Sequence, residues 1–562
     1  MNIDLTIVVF FLGSISLFLF GLKYMSESLQ KIFAKNIRSL VSQISNHKIK
    51  NIGIGALLAS VTQSTSAVAV STMNFVQNGL YSTKQAFEIL LGASIGNTFP
   101  IWIYALIGFN INLPIFIALL IIIGFFLIVK KDIQIRNLGE IIIGFSLMFL
   151  SFYLFLLISN NFNINHKQFF NEIANYGIAA NIMLIVIGGF IAIFIKSVSL
   201  MSILTMILAY KGILSLEYSL ILILGENIGK TFTTFVAANK ADKRVKQVAW
   251  FYFFMNIFAA LWVFVILTFF SENIYHFFGK IGFSNLIIDV NKTPFAICLF
   301  ITLYNLANSV FISFFTSKIA YYFNKSLKAN EVEKSKKIDN IESGYFNTSE
   351  INFMVVKSEI LKYSELTQQM FLIIPELLSP KEPEVFKEQL KKLYDLELLN
   401  DQFEVDIAKL LIKISKNEIS YETQTLVSKM RRITIELEKL GDIALRVGQL
   451  IENKNIEKAY FTPEQREKIN LLFNMINELF NLLNKNFKKE DMNVDYILAA
   501  KMVKNINQLQ KNIKNESIEE LNIGLYPAKS GFYYNKISNA YEKSGKTILN
   551  IFAILSGVEQ NK

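Results

Sequence analysis

Long apolar runs fill residues 1–323, and from residue 350 onward apolar positions recur every three or four residues among lysine, glutamate and asparagine. A hydrocarbon core of roughly 30 Å takes about 20 apolar helical residues. By that measure residues 1–20, 113–129, 138–159, 247–270 and 294–323 predict spanning helices, with 101–109 as part of a broken one. Residues 26–45 alternate polar and apolar positions with helical spacing, which predicts a short helix at the membrane interface. Residues 52–76 are long enough to enter the bilayer, yet six of the seven positions from 60 to 66 carry a hydroxyl or an amide. Irregular backbone at that depth is tolerated only inside protein or beside water, so this stretch predicts a re-entrant hairpin or a broken helix. Asn78-Gly79 supplies a turn, Ser82 and Thr83 can cap the next helix, and the stretch from Gly96 to Pro100 breaks that helix again.

The polar cluster Gln63-Ser64-Thr65-Ser66-Ala67 and the glycine-rich Gly92-Ala93-Ser94-Ile95-Gly96-Asn97-Thr98 both recur. Lys196-Ser197-Val198-Ser199-Leu200 and Gly225-Glu226-Asn227-Ile228-Gly229-Lys230-Thr231 follow at one separation, 133 residues, from Gln63 to Lys196 and from Gly92 to Gly225. The register also holds through the turn, where Asn78-Gly79 lies over Lys211-Gly212. The copies span about residues 48–110 and 180–240. Duplicated polar, glycine-rich segments at membrane depth point to a transporter rather than an enzyme.

Basic residues orient the chain. Asp4 precedes the first helix and Lys23, Lys31, Lys35 and Arg38 follow it, so its start is expected outside and its end in the cytoplasm. Lys130, Lys131 and Arg136, and later Lys240, Lys243, Arg244 and Lys246, mark further cytoplasmic loops. Residues 1–20 lack the basic start and small-residue cleavage site of a secretory signal, which predicts a retained helix. Residues 324–349 carry charge without a sustained apolar period and read as a linker. Residues 350–562 read as a cytoplasmic helical bundle, divided near 380–383, 453–463 and 523–531. The fold class is all-α: a polytopic membrane domain with broken or re-entrant hairpins, followed by a helical-bundle domain.

Composition narrows the classes. Of 562 residues 52% are hydrophobic, and a mean hydropathy of +0.38 calls for a lipid bilayer as solvent. The net charge of +11 fits basic cytoplasmic loops, and no recognition-module signature accompanies it, so nucleic acid is excluded as a partner. Cys298 is the single cysteine, and His47, His166 and His276 are scattered without ligand spacing, which leaves no thiolate or zinc chemistry. Gly229-Lys230-Thr231 imitates the end of a P-loop, but the earlier glycine that motif requires is Leu224.

Stripping water from an anion or a sodium ion inside a membrane takes many oriented oxygens and N–H groups. Gln63, Ser64, Thr65 and Ser66 supply that chemistry, and half-helix N-termini would add positive potential. Gln63-Ser64-Thr65-Ser66-Ala67 is similar to the QSSSA signature of the sodium/phosphate cotransporter family, with Thr65 for one serine. Phe20-Gly21-Leu22-Lys23-Tyr24-Met25 looks like that family's start, and Gly92 to Thr98 resembles its GANIGTT element. The resemblance covers about residues 5–320. It implies two inverted repeats that bind phosphate and sodium, the coupling ion, between serine-rich hairpins. It marks Gln63, Ser64, Thr65, Ser66, Ser94, Asn97, Thr98, Lys196, Ser197, Ser199, Asn227 and Thr231 as site residues. Asn256 and Asn305 lie in segments resembling the family's HxxFN element without its histidine, and either line the cavity or act as packing glue. The second copy departs from the family pattern at Lys196, Val198 and Leu200, and Glu226 and Lys230 intrude in its glycine-rich segment. Lys196 could pair with Glu226 and stand in for a sodium ion; alternatively it snorkels to the interface while Glu226 pairs with Lys230.

The remainder resembles the PhoU-type helical domain. Its signature is matched by Glu436-Leu437-Glu438-Lys439-Leu440-Gly441-Asp442, and Glu397 and Asp401 repeat the i, i+4 acidic spacing. Glu397, Asp401, Glu438 and Asp442 could therefore converge on a divalent metal, or form an ordinary solvated face. The resemblance implies a phosphate transporter of the cell (inner) membrane, working by alternating access. The alternative is a membrane-anchored phosphate sensor that signals through the helical domain to a regulatory protein or a second copy of the chain. An intramembrane enzyme finds no nucleophile and base at membrane depth.

Overall fold

The computed structural model describes residues 5–77, 79–160, 177–195, 197–269, 292–327, 349–378, 382–415, 419, 421–488 and 494–558. It is all-helical in these residues and divides into two compact units, Met1–Asn352 and Phe353–Lys562.

The first unit begins with α1 (Leu5–Ile32), α2 (Ala34–Ser42), α3 (Lys48–Thr62) and α4 (Thr65–Gln77). It continues through α5 (Thr83–Gly96), α6 (Phe99–Ile103), a π-helical turn (Tyr104–Gly108), α7 (Leu113–Ile128) and α8 (Ile133–Ser159). Then come α9 (Ile178–Ile195), α10 (Val198–Tyr210), α11 (Leu216–Ala237), α12 (Lys243–Phe269), α13 (Thr293–Ser313) and α14 (Thr316–Leu327). Among the described residues six stretches are long and apolar enough to cross a membrane: Leu5–Ile32, Thr83–Gly108, Ile133–Ser159, Ile178–Ile195, Lys243–Phe269 and Thr293–Ser313.

The duplication is visible in the packing itself. A Cβ on Gly92 would lie 1.8 Å from Ile52 O, and one on Gly225 would lie 2.1 Å from Ile185 O. Gly96 meets Ala56 O as Gly229 meets Gly189 O, and Gly55 meets Ile89 O as Gly188 meets Leu222 O. Each of these pairs is its fellow shifted by 133 positions. The crossings of α3 with α5 and of α9 with α11 are therefore backbone against backbone, the close approach that small residues permit between apolar helices. The frame extends further. α4 and α10 both have 13 residues, Ser82 and Ser215 both cap the helix that follows, and Gly79 and Gly212 turn the chain at φ of 73° and 64°.

Three elements differ from the pattern-based expectation. α1 runs on to Ile32, so the separate interfacial helix is only Ala34–Ser42. The run 294–323 is two helices, because the chain turns at Phe314 and Phe315, where Phe315 N–H bonds Ile312 O at 2.8 Å and the Thr316 hydroxyl bonds Ser313 O at 3.1 Å. In the first copy the expected break follows Gly96, with Pro100 at the start of α6; in the second, α11 continues to Ala237. The counterpart of Pro100 is Thr233, which keeps its backbone N–H and does not crowd the preceding turn.

The second unit contains α15 (Ser349–Leu378), α16 (Pro383–Ser415), α17 (Tyr421–Ile456), α18 (Pro463–Lys488), α19 (Tyr496–Asn522) and α20 (Ala528–Ser556). Its core includes Ile433, Leu437, Leu440, Ile476, Leu479 and Ile551, all fully buried. At Gly441 a Cβ would lie 2.3 Å from Asn400 Nδ2, so the missing side chain lets α16 and α17 close on one another.

Gly92→Ala and Gly225→Ala should each push a methyl into a backbone carbonyl and cost about 1–3 kcal/mol, whereas Gly13→Ala, whose Cβ meets nothing within 4 Å, should not. Melting of the detergent-solubilised full chain checks this, and equal midpoints for all three variants would refute the crossing.

Candidate functional site

The first break lies between α3 and α4. Gln63 adopts the left-handed conformation (φ 52°, ψ 26°), which costs a non-glycine residue about 1–2 kcal/mol and is kept only where the surroundings fix it. Gln63, Ser64 and Thr65 are buried, and Gln63 Oε1 and Thr65 Oγ1 have no hydrogen-bond partner among the described residues. Ser64 caps α4, its Oγ accepting from Ala67 N–H at 3.1 Å. The other exposed ends of backbone are met from nearby helices: the Ser26 hydroxyl of α1 donates to Thr62 O at 2.9 Å, and the Ser60 hydroxyl of α3 reaches Gly96 O at 3.1 Å. Ser26 was not singled out in the sequence, because its partner is 36 residues away and no local spacing signals it.

The second break repeats the cap. Ser197, in extended backbone, accepts from Leu200 N–H at 3.4 Å, and Ser199 Oγ is buried with no hydrogen-bond partner among the described residues. Lys196 lies outside the described residues. In both copies the α-helix that leaves the break (α4, α10) directs its first N–H groups back toward it, and the cap serine satisfies only the third.

The glycine-rich segments run alongside. The hydroxyl of Thr98 bonds Ile95 O at 2.8 Å, and that of Thr231 bonds Ile228 O at 2.8 Å. Ser94 donates to Leu90 O, and Asn227 donates its amide to Ile223 O. Asn97 is buried at the end of α5. Asn256 and Asn305 each donate to the carbonyl four residues back, Tyr252 O and Ile301 O, at 2.8 Å, which turns the amide oxygen outward from the helix. Ser66 is half-buried beside its neighbours.

The structure also answers how the charged intruders are held. Glu226, fully buried, accepts the Ser202 hydroxyl on both oxygens at 3.2 and 3.1 Å. The ammonium of Lys230, 5% exposed, donates to Asn227 Oδ1. Two buried tyrosines bridge the copies: Tyr252 of α12 lies beside Thr65, and Tyr304 of α13 lies beside both Tyr252 and Glu226. Thr65, Tyr252, Tyr304 and Glu226 thus lie within electrostatic reach of one another between the copies, and the step from Glu226 to Ser202 is a hydrogen bond. Ser202 has a sequence signal, because it lies three residues past Ser199 on one helical face. The tyrosines have only their place beside Asn256 and Asn305.

In the helical unit, the four carboxylates lie near enough to act on one another electrostatically. Burial pushes the Glu397 carboxyl up to about 7, helped by the negative charges of Asp401, Asp442 and Glu438. Glu438 is raised as well, by burial first and then by Asp442 and Glu404. Tyr363 of α15 faces the same cluster, and burial together with Glu404, Glu438, Glu397 and Asp401 holds its hydroxyl protonated. All-oxygen donors and the unpartnered Glu397 Oε2 suit a hard divalent cation. As arranged, no three acidic, histidine or cysteine side chains among the described residues close around one point. At the corresponding place in the last helix, Lys546 pairs with Glu542 at 2.5 Å.

A helical unit with six candidate membrane spans among the described residues and two glycine-locked copies of a broken helix is a membrane protein of the transporter type. Residues 17–156 and 157–288, together 272 of the 562 residues, each match the model of the Na+/Pi-cotransporter family. It is 21% identical over 474 residues to a protein of Salmonella typhimurium named "Putative inorganic phosphate export protein YjbB", covering 83% of this chain and 82% of that one. The Escherichia coli protein of the same name is 20% identical over 473 residues, and "Uncharacterized protein YqeW" of Bacillus subtilis is 24% identical over 262 residues, 47% of this chain and 83% of that one. The YjbB matches are longer than the membrane unit, so they extend into the helical unit as well. No solved structure matches the chain.

Because Glu397 is raised in the folded chain from 4.5 to about 7, the native state holds a proton the unfolded state has released between those values. The helical unit should therefore lose stability as pH rises from about 4.5 to about 7. Glu397→Gln should flatten that dependence and stabilise the unit at pH 8 by about 1 kcal/mol, a figure discounted for the half-exposed side chain. Chemical denaturation of the full chain at both ends of the range reads the difference. Ser64→Ala and Ser197→Ala should each cost about 1 kcal/mol through the lost cap, and melting in detergent measures it.

Proposed function

We propose that this chain is a secondary active transporter of inorganic phosphate, coupled to sodium and working by movement between its two copies. The observation that carries the reading is the pair of capped half-helix N-termini, α4 and α10, at buried breaks within one duplicated frame. Such termini offer backbone N–H groups and positive potential to an oxyanion. Buried Gln63, Thr65 and Ser199, each with an unspent oxygen, are the side chains we expect beside the anion. Lys196, the counterpart of Gln63 by register, would join them. The outward amide oxygens of Asn256 and Asn305 suit sodium, which needs acceptors rather than donors. The family match supports phosphate as the substrate, and the name carried by the YjbB relatives supports export as a direction to measure. A coupled cycle runs either way with its gradients, so both directions are tested. For the helical unit we propose a divalent cation, held by Glu397, Asp401, Glu438 and Asp442, that would relieve the repulsion among them.

Purified full-length protein in proteoliposomes should move radiolabelled phosphate, and an imposed sodium gradient should set the net direction. Thr65→Ala combined with Ser66→Ala should lower the flux at least about tenfold, the scale of one or two lost buried hydrogen bonds to a charged ligand. Phosphate binding without flux in either direction would replace transport with the sensor reading.

A further inference from the structure

The glycine-rich segments make one and the same bond a turn back along their helices. Ser94 donates to Leu90 O at 3.2 Å, and Asn227, its counterpart 133 positions on, donates to Ile223 O, the counterpart of Leu90, at 2.9 Å. With its proton spent on the preceding turn, each side chain is left offering an oxygen. Three residues further, the first copy has neutral Asn97 and the second has Lys230, whose ammonium fills the Asn227 oxygen. One residue before Asn227 the second copy carries Glu226 where the first has Ala93. Both charged side chains are buried, Lys230 at 5% and Glu226 at 0% exposure, with Glu226 held by Ser202 and lying beside Tyr304. The second copy has thus gained one positive and one negative charge at two positions that are neutral in the first. Ionisable groups at this depth are costly and mark ion pathways; a lysine aimed at an acceptor, rather than snorkelling to an interface, is placed as an ion would be.

We propose that the Lys230 ammonium is a tethered cation. In the second copy it occupies the position a dissolved monovalent cation takes on the Ser94 side in the first, with Glu226 as its fixed countercharge. The chain therefore binds phosphate with one fewer dissolved cation than a transporter with two neutral copies. This rests on the transport reading above and adds which half of the site needs sodium and which does not.

The test uses the full chain, in detergent for phosphate binding and in proteoliposomes for flux, with sodium varied against choline at constant ionic strength. The double variant K230N/E226A installs the residues of the first copy, K230R keeps the charge, and K230M/E226Q is a second neutral pair should the first not fold. Wild type and K230R should show the same sodium dependence. The neutral pair should bind phosphate at least about tenfold more weakly in low sodium, recover in high sodium, and show a dependence steeper by about one cation. A monodisperse neutral pair with wild-type sodium dependence overturns the tethered cation, and so does K230R if it loses as much as the neutral pair. Wild type that neither binds nor moves phosphate overturns the transport reading and this inference together. Wild type that moves phosphate, with variants indistinguishable from it, overturns this inference alone.

Discussion

A helix that stops inside an apolar protein leaves backbone N–H and C=O groups with no water to take them, and every other feature of the membrane unit follows from how those groups are met. The first break is satisfied from three sides: Ser64 takes Ala67 N–H, Ser26 gives to Thr62 O, and Ser60 reaches across to Gly96 O. The last of these bonds exists only because α3 and α5 touch backbone to backbone, with Gly55, Gly92 and Gly96 making room. The crossing is thus a precondition of the break as well as a packing device. A side chain at those glycines would move Ser60 away from its acceptor.

Duplication then gives each break the same frame, and the frame tolerates different chemistry inside it. The length of the helix that leaves the break, the caps, the turns and the glycine contacts agree position by position between the copies. The side chains that face inward have diverged: Ala93 against Glu226, Ser94 against Asn227, Asn97 against Lys230, Pro100 against Thr233. Selection on the frame and on its contents is separable, because backbone contacts fix the first while hydrogen-bond donors and acceptors fix the second.

The breaks, the repeat and the caps were legible in the sequence because each has a local signature: hydroxyl density in an apolar run, a fixed 133-residue shift, and serine before an apolar period. Acidic i, i+4 spacing singles out Glu397, Asp401, Glu438 and Asp442, whose charges act on one another in the folded chain. What stayed hidden depends on contacts distant in sequence. Ser26 and Thr62 are 36 residues apart, and Ser28 and Glu140 are 112 apart. Tyr252 and Tyr304 sit among so many aromatic residues that their role as a bridge has no signature. The partner of Glu226 could not be chosen from spacing either. Lys196 and Lys230 are the two partners the sequence suggests, and the serine that binds Glu226, Ser202, lies on another helix.

The two kinds of contact also divide the unit into what stays fixed and what can move. Within each copy, α3 with α5 and α9 with α11 are locked by backbone crossings that no rotamer change can loosen. Between the copies, the link runs through side chains, from Thr65 by way of Tyr252 and Tyr304 to Glu226 and Ser202. Side chains have alternative rotamers where backbone crossings have none, so displacement of one copy against the other would be taken up there and not inside either copy. Among the described residues, oxygens of Gln63, Thr65 and Ser199 are buried without a hydrogen-bond partner, and Thr65 lies at this seam beside Tyr252. In the proposed reading, the hydroxyls of Thr65 and Ser199 would donate to a bound oxyanion and the Gln63 amide oxygen would meet its cation. Occupancy and the arrangement of the seam would then be tied by the same few kilocalories that a buried unpaired polar group costs.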